Sequence, residues 1–202
     1  MKKHLIIYAK KPLPGYAKTR LGKEIGFEES AGVYARFLYQ ALFELIELTH
    51  EEISVELSLA SDSDKAFFTL AFPEFLISSQ MGSDLGQRFT RSFKDAFENG
   101  ADSVVVIGSD IPDLDRSIIQ AAFKALEEND VVIGPDTDGG YYLFGTRKKN
   151  ATLFKDIDWS SEFVLQQTKR LLHAQQLSLI LLPVLSDVDT DTDFHRWLSA
   201  MN

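Results

Sequence analysis

Short apolar runs rich in Ile, Val and Leu recur at residues 4–9, 53–60, 103–107, 131–133 and 177–182, and amphipathic stretches separate them. That alternation predicts βαβ units, and so a largely parallel sheet with helices packed on it. Between the first two runs Ala31, Tyr34, Ala35, Leu38, Leu42, Leu45 and Ile46 fall at helical spacing, which predicts one long helix with a buried face. Phe89, Phe93 and Phe97 repeat every four residues, a stripe that predicts core packing of a later helix rather than a cofactor contact. Further helices are predicted over 114–128 and 161–173. No Pro/Gly/Ser-rich linker, internal repeat or low-complexity stretch breaks the pattern, so residues 1–202 are expected to form a single domain.

In open parallel sheets, ligands bind where the chain leaves the carboxyl ends of the strands, so the segment after each run carries the chemistry. The first is Lys10-Lys11-Pro12-Leu13-Pro14-Gly15-Tyr16-Ala17-Lys18-Thr19-Arg20. Its prolines and glycine stiffen a loop whose cations can converge on a phosphate chain, and Lys11, Pro14, Gly15, Lys18 and Arg20 become candidates for nucleotide binding. A solvated basic loop is the plainer alternative. Neither a Walker A motif nor a dinucleotide fingerprint is present. The run at 103–107 leads into Gly108-Ser109-Asp110-Ile111-Pro112, which sets Asp110 at the sheet edge to meet a ligand or a hard cation. Asp110 could instead cap the next helix, although Pro112 and Asp113 offer that helix another start. After 131–133 comes Asp136-Thr137-Asp138-Gly139-Gly140-Tyr141-Tyr142, which suits a hairpin turn and also lets backbone approach a substrate closely.

Near the end lies Ser186-Asp187-Val188-Asp189-Thr190-Asp191-Thr192-Asp193. Carboxylates this close repel one another unless a cation or full hydration relieves them, and all-oxygen ligands suit Mg²⁺ or Mn²⁺. In an extended segment Asp187 and Asp189 point the same way, and these two are assigned to the metal. Asp191 or Thr192, with Asp193, is expected to cap a final helix carrying Phe194 and Trp197.

Charge sharpens this picture. The formal net charge is −9, yet an early segment is basic and a late one acidic. The net charge argues against general nucleic-acid binding. No apolar run reaches the roughly 18 residues of a membrane span, and the basic start lacks a signal-peptide pattern, so a cytoplasmic protein is expected. With no cysteine, disulfides, thiolate zinc sites and a Cys nucleophile drop out. A homodimer is compatible with all of this.

Taken in order, Lys-Pro-x-Pro-Gly-x-x-Lys-Thr-Arg-Leu at 11–21, Gly-Ser-Asp-Ile-Pro at 108–112, Asp-x-Asp-Gly-Gly-Tyr-Tyr-Leu at 136–143 and Asp-Val-Asp-Thr at 187–190 resemble an uncharacterised bacterial family described as glycosyltransferase-like. The resemblance covers nearly the whole chain. It implies a GT-A-like, Rossmann-related α/β fold, with 2-phospholactate and molybdenum-cofactor guanylyltransferases as better understood relatives. It further implies that Lys18 and Arg20 bind nucleotide phosphates, that Asp110 is a metal-binding aspartate, and that Asp187 and Asp189 supply the second acidic contact. Lys18, Arg20 and Asp110 would then be catalytic. Arg88, in a family-like segment at 80–88, would touch nucleotide or acceptor. Trp159 and Ser160 resemble a stretch bordering the acceptor, which Gly139, Gly140 and Tyr141 would also contact. Ser-Asp-Ile-Pro departs from a clean Asp-x-Asp, leaving the usual glycosyltransferase metal signature incomplete. The implied activity is metal-dependent nucleotidyl or glycosyl transfer from a nucleoside triphosphate or nucleotide sugar to a small acceptor. An aspartate-nucleophile phosphatase is disfavoured because Asp187-Val188-Asp189 does not follow the first strand. A non-catalytic nucleotide-binding protein is the alternative.

Overall fold

Consecutive side chains of an extended strand face opposite ways, so a strand apolar at every position must be covered on both sides. β1 (Lys3–Ala9) shows this: Leu5 and Ile7 enter one apolar cluster and Ile6 enters another. The computed structural model describes residues 1–159 and 161–200. After β1 come α1 (Thr19–Ile25), α2 (Phe27–Leu45), β2 (Ile53–Leu59), α3 (Lys65–Ala71), β3 (Leu76–Ser79), α4 (Leu85–Glu98) and β4 (Ser103–Ile107). They are followed by α5 (Arg116–Ala125), β5 (Val131–Pro135), β6 (Tyr141–Thr146), α6 (Val164–Ala174), β7 (Leu179–Leu181) and α7 (Asp191–Ala200). The strands form one seven-stranded sheet in the order β3-β2-β1-β4-β6-β5-β7. Only β6 pairs antiparallel, with β4 on one side and β5 on the other. This is the single-domain, mostly parallel α/β architecture expected. Among the described residues, no helix is long and apolar enough to cross a membrane.

The long helix read from Ala31 to Ile46 is α2, and it buries Tyr34, Leu38 and Leu42 against one sheet face. The phenylalanine stripe is the inner side of α4 on the other face. Two strands escaped the apolar-run reading. β3 is a four-residue, half-polar edge strand. β6 lies in the segment read as a turn, and that turn is real: β5 and β6 form an antiparallel hairpin. The helix expected over 114–128 is α5, which begins not at Pro112 or Asp113 but beyond Asp115, whose carboxylate accepts the Ile118 N–H at 3.0 Å. α7 is not capped by Asp191 or Thr192. The Thr190 hydroxyl accepts the Asp193 N–H at 3.2 Å, and the Asp193 carboxylate accepts the Thr190 N–H at 3.0 Å, a reciprocal capping box.

Because six strands run the same way, the segments following β1, β4, β5 and β7 leave one edge of the sheet. β1 and β4 are in register up to Ile7 and Ile107, which brings their following loops to one level.

Candidate active site

The loop after β1 is tied down by side chains distant in sequence. The Leu13 carbonyl accepts the Tyr16 and Ala17 N–H groups at 3.0 and 3.2 Å, closing a turn in which Gly15 has φ +71°. Buried Asp64, just after β2, accepts the Lys11 N–H at 3.1 Å and the Tyr16 hydroxyl at 3.4 Å. The buried Tyr34 hydroxyl accepts the Lys10 N–H at 3.2 Å and bonds the Ser109 hydroxyl at 2.9 Å, locking the loops after β1 and β4 together.

Lys18, immediately before α1, has φ 46° and ψ 48°, left-handed backbone that costs a non-glycine residue about 1–2 kcal/mol. That geometry sends its side chain back under the sheet edge, where it is only 3% exposed. Its Nζ lies 2.8 Å from Asp110 Oδ2, 2.7 Å from Asp189 Oδ1 and 4.0 Å from Asp187 Oδ2. Burial alone pulls the ammonium pKa down, and the three carboxylates more than reverse this, so the group is held charged. Val188 explains why Asp187 and Asp189 face the same side: in an extended segment it points the other way, into a cluster with Leu21, Val33, Phe37 and Phe194. α7 therefore anchors the acidic pair through its own core contact.

Carboxylate oxygens of Asp110, Asp187 and Asp189 lie within 4.8 Å of one another. Burial, then the neighbouring Asp189, Asp110 and Asp136, push the Asp187 carboxyl up to about 7 against the opposing pull of Lys18. Three hard oxygen donors converging on one point, already holding a cation in the form of the Lys18 ammonium, fit a divalent ion such as Mg²⁺ or Mn²⁺.

Beside this cluster a cavity of about 270 Å³ opens, lined by Asp110 and Asp187 and also by half-buried Asp136 and exposed Asp138. Its walls are aromatic. Phe89 packs with ring centroids 5.4 Å from Tyr8, 6.2 Å from Tyr141 and 5.5 Å from Trp159. Trp159 lies close over Gly86, where an added Cβ would come within 2.5 Å of the indole Nε1. Gly139, at φ +90°, is pressed against Glu162: an added Cβ would sit 2.0 Å from the Glu162 carbonyl oxygen. The Gly140 N–H donates to Asp138 Oδ1 at 2.8 Å, which fixes the carboxylate at the turn. The two glycines thus form a tight turn, of which Gly140 lines the cavity while Gly139 packs against Glu162.

The structure brings Lys18, Asp110, Asp187 and Asp189 to one point, and Gly140, Tyr141 and Trp159 to the adjoining cavity. Other candidates sit at the margin. Arg20 reaches Asp189 at 3.4 Å but its side chain is 71% exposed. Arg88 bonds the Gly82 carbonyl and Gln80 Oε1, both at 3.2 Å. Pro14 and Gly15 are exposed at the loop tip. The Lys11 ammonium lies over the Phe67 ring, 4.9 Å from its centroid. Ser160 lies outside the described residues. Lys10, not singled out for nucleotide binding, faces the cluster: burial lowers its pKa while Asp110 opposes that shift. Tyr8, Phe89, Asp136 and Asp138 also belong to the site. Asp136 and Asp138 stood within a motif already singled out, whereas Phe89 was legible only as core, and it both packs in the core and lines the cavity.

Residues 46–161 match the family model described as an uncharacterized protein conserved in bacteria, DUF2064. A crystal structure provisionally described as a nucleotide-diphospho-sugar transferase, from Desulfovibrio desulfuricans G20, superposes with a TM-score of 0.90 at 33% identity, covering 97% of this chain and 86% of that one. The 4-diphosphocytidyl-2C-methyl-D-erythritol synthase of Anaerococcus prevotii DSM 20548 gives a TM-score of 0.63 at 14% identity, covering 100% and 99% of the two chains. Rv0371c of Mycobacterium tuberculosis H37Rv in complex with manganese gives 0.58 at 12%, covering 99% and 100%. The latter two share the fold. No curated protein matches the chain in sequence.

Proposed function

We propose that this chain, which belongs to the bacterial family DUF2064, is a divalent-metal-dependent transferase that moves a nucleotidyl or glycosyl group from a nucleotide donor to a small acceptor. The observation that carries this reading is the meeting of Lys18 with Asp110, Asp187 and Asp189 at the sheet edge, next to a cavity large enough for a small molecule. The similar proteins support it, since one is described as a nucleotide-diphospho-sugar transferase, one is a diphosphocytidyl synthase and one was solved with manganese.

Asp110, Asp187 and Asp189 would hold the divalent cation, which would supply charge neutralisation for the donor's phosphates. The chain's own part is positioning and electrostatics. Lys10 and Arg20, with Lys18 once a metal takes its place among the three carboxylates, offer three cations from one loop, enough to follow a di- or triphosphate rather than a single phosphate. In nucleotidyl transfer an acceptor oxygen bonds the α-phosphorus while the bond to the β-phosphate bridging oxygen breaks. Pyrophosphate then leaves with that electron pair beside the loop cations, and the acceptor proton passes to a carboxylate of the cavity lining. In glycosyl transfer the same cations meet a departing nucleoside diphosphate. The several cations of the loop favour the triphosphate donor.

Calorimetric titration with nucleoside triphosphates and nucleotide sugars, in Mn²⁺ and in chelator, tests the proposal. Binding is expected only with metal, and Asp110→Asn should weaken it at least tenfold, about 1.4 kcal/mol. Donor affinity indifferent to both chelation and the substitution overturns the reading. Release of pyrophosphate or of nucleoside diphosphate then separates the two transfers.

A further inference from the structure

The cavity beside the carboxylates differs in chemistry from the loop that faces it. Among the described residues, its lining contains no Lys, Arg or His, but it contains Asp110, Asp136, Asp138 and Asp187. Even with Asp110 and Asp187 engaged by a cation, Asp136 and Asp138 remain in the lining. Asp138 is exposed, and its Oδ1 is already taken by the Gly140 N–H; Asp136 is half-buried and accepts the neighbouring Thr137 hydroxyl at 3.2 Å. The same lining includes packed rings from Tyr8, Phe89, Tyr141 and Trp159.

Resting on the transferase reading above, we infer that this cavity holds the acceptor, and that the acceptor is a small non-anionic alcohol or amino-alcohol that bears neither phosphate nor carboxylate. Carboxylates are acceptor-only groups and recognise hydroxyl and ammonium donors, whereas a phosphate seated beside Asp136 and Asp138, away from Lys18 and the metal-binding carboxylates, would meet like charge with no cation in the lining there. Ring faces favour C–H surfaces and organic cations by the same quadrupole that disfavours anions. At about 270 Å³ the cavity is at or below the lower end of small-molecule sites, roughly 300–1,000 Å³, so the acceptor is small. The basic loop is thereby reserved for the donor, and the two substrates are sorted by charge. Phosphorylated acceptors are disfavoured by this lining.

The test uses the full chain with diamagnetic Mg²⁺ and the donor found by calorimetry, so that failure of donor binding sinks the transferase reading by itself. To that complex two sets of probes are added: glycerol, myo-inositol, glucose and ethanolamine in one, and glycerol phosphate, glucose phosphate, phospholactate and lactate in the other. Occupancy is read from the indole N–H resonance of Trp159, assigned by its loss in Trp159→Phe. A shift from the first set, at least about tenfold weaker with the second and weakened about tenfold by Asp138→Asn for ethanolamine, is the expected result. A stronger shift from the second set overturns the inference, and so does a resonance that neither set moves. An Asp136→Asn/Asp138→Asn chain that binds donor normally and still rejects the anionic set shows that charge is not the sorting principle, which also overturns it.

Discussion

Lys18 shows how much one residue can decide. It adopts a backbone conformation unfavourable for its type, and it spends a buried ammonium on three carboxylates that would otherwise repel one another. Each charge-assisted contact is worth about 1.5–3 kcal/mol, while burying the ammonium costs a comparable amount, so the net is set by what else can neutralise the acids. A metal ion can. Lys18→Met is therefore expected to lower thermal stability in chelator by about 1–3 kcal/mol, which for a chain of this size is roughly 2–4 °C per kcal/mol. Added Mn²⁺ should raise the melting temperature of the variant more than that of the parent, because in the parent the lysine already serves as counter-charge. Equal metal-induced shifts in the two proteins, measured by scanning calorimetry, would mean that lysine and metal do not share the site.

Among the elements, α7 has a structural role that reaches the chemistry. Phe194 and Trp197 pack with Leu21, Val33, Phe37 and Val188, and Phe37 meets Trp197 edge to face at 4.8 Å between centroids. Val188 is the pivot, since its burial turns Asp187 and Asp189 outward toward Lys18. Phe194→Ala removes a buried ring and should cost about 3–5 kcal/mol of stability, somewhat less if α7 settles into the gap. It should also weaken Mn²⁺ binding, although it touches none of the three carboxylates. Denaturant unfolding with calorimetric metal titration checks both halves, and a large stability loss with undiminished metal affinity would show that the acidic segment holds its shape without α7. The β5–β6 hairpin is the counterpart across the cavity, where Gly139 permits a packing against Glu162 that a side chain would block.

At the scale of the whole molecule, the sheet separates its chemistry by edge. The carboxyl edge carries the candidate site, while the opposite edge carries a structural clamp at Asp130, just before β5. Its carboxylate accepts the Ser178 N–H at 3.1 Å and pairs with Lys148 at 3.1 Å and Arg147 at 3.3 Å, joining the start of β5 to the end of β6 and the lead-in to β7. Burial raises its pKa, and the Ser178 N–H and Lys148 more than reverse this, leaving the group at about 2. A carboxyl depressed by folding stabilises the protein fully above its ordinary value near 3.9, and that contribution is lost as pH falls through about 2. Solvent reaches the pair, so the contribution at neutral pH should be about 1–2 kcal/mol. Asp130→Asn should accordingly cost that much at pH 6, with the gap between variant and parent closing between about pH 4 and pH 2. A gap that stays constant over that range in urea titrations would assign the loss to hydrogen bonding alone.

Local pattern was enough to read α2, α4, β1, β2 and β4, because a buried face imposes its period on the residues that form it. It was also enough to mark the basic loop after β1 and the carboxylates at 110, 187 and 189, since charge clustered at strand ends is visible without a third dimension. Other features had no local signal. β3 is too short and polar to stand out, and β6 hid behind its own turn residues, because hairpin chemistry announces the turn more loudly than the strand after it. Where the Lys11 side chain and N–H settle depends on Phe67 and Asp64, which lie more than fifty residues away. Thr190 rather than Asp191 caps α7 because capping is decided by backbone angles, which several neighbouring polar residues could have satisfied equally well. The aromatic cavity is the largest of these gaps: Tyr8, Phe89, Asp136 and Trp159 come from four separate segments, and only the stacking of those segments on the sheet makes them one surface. The chain by itself determined which residues carry charge and which faces must be buried, and the tertiary structure alone decided which of those charges meet, since that depends on strand order and register rather than on any neighbour in sequence.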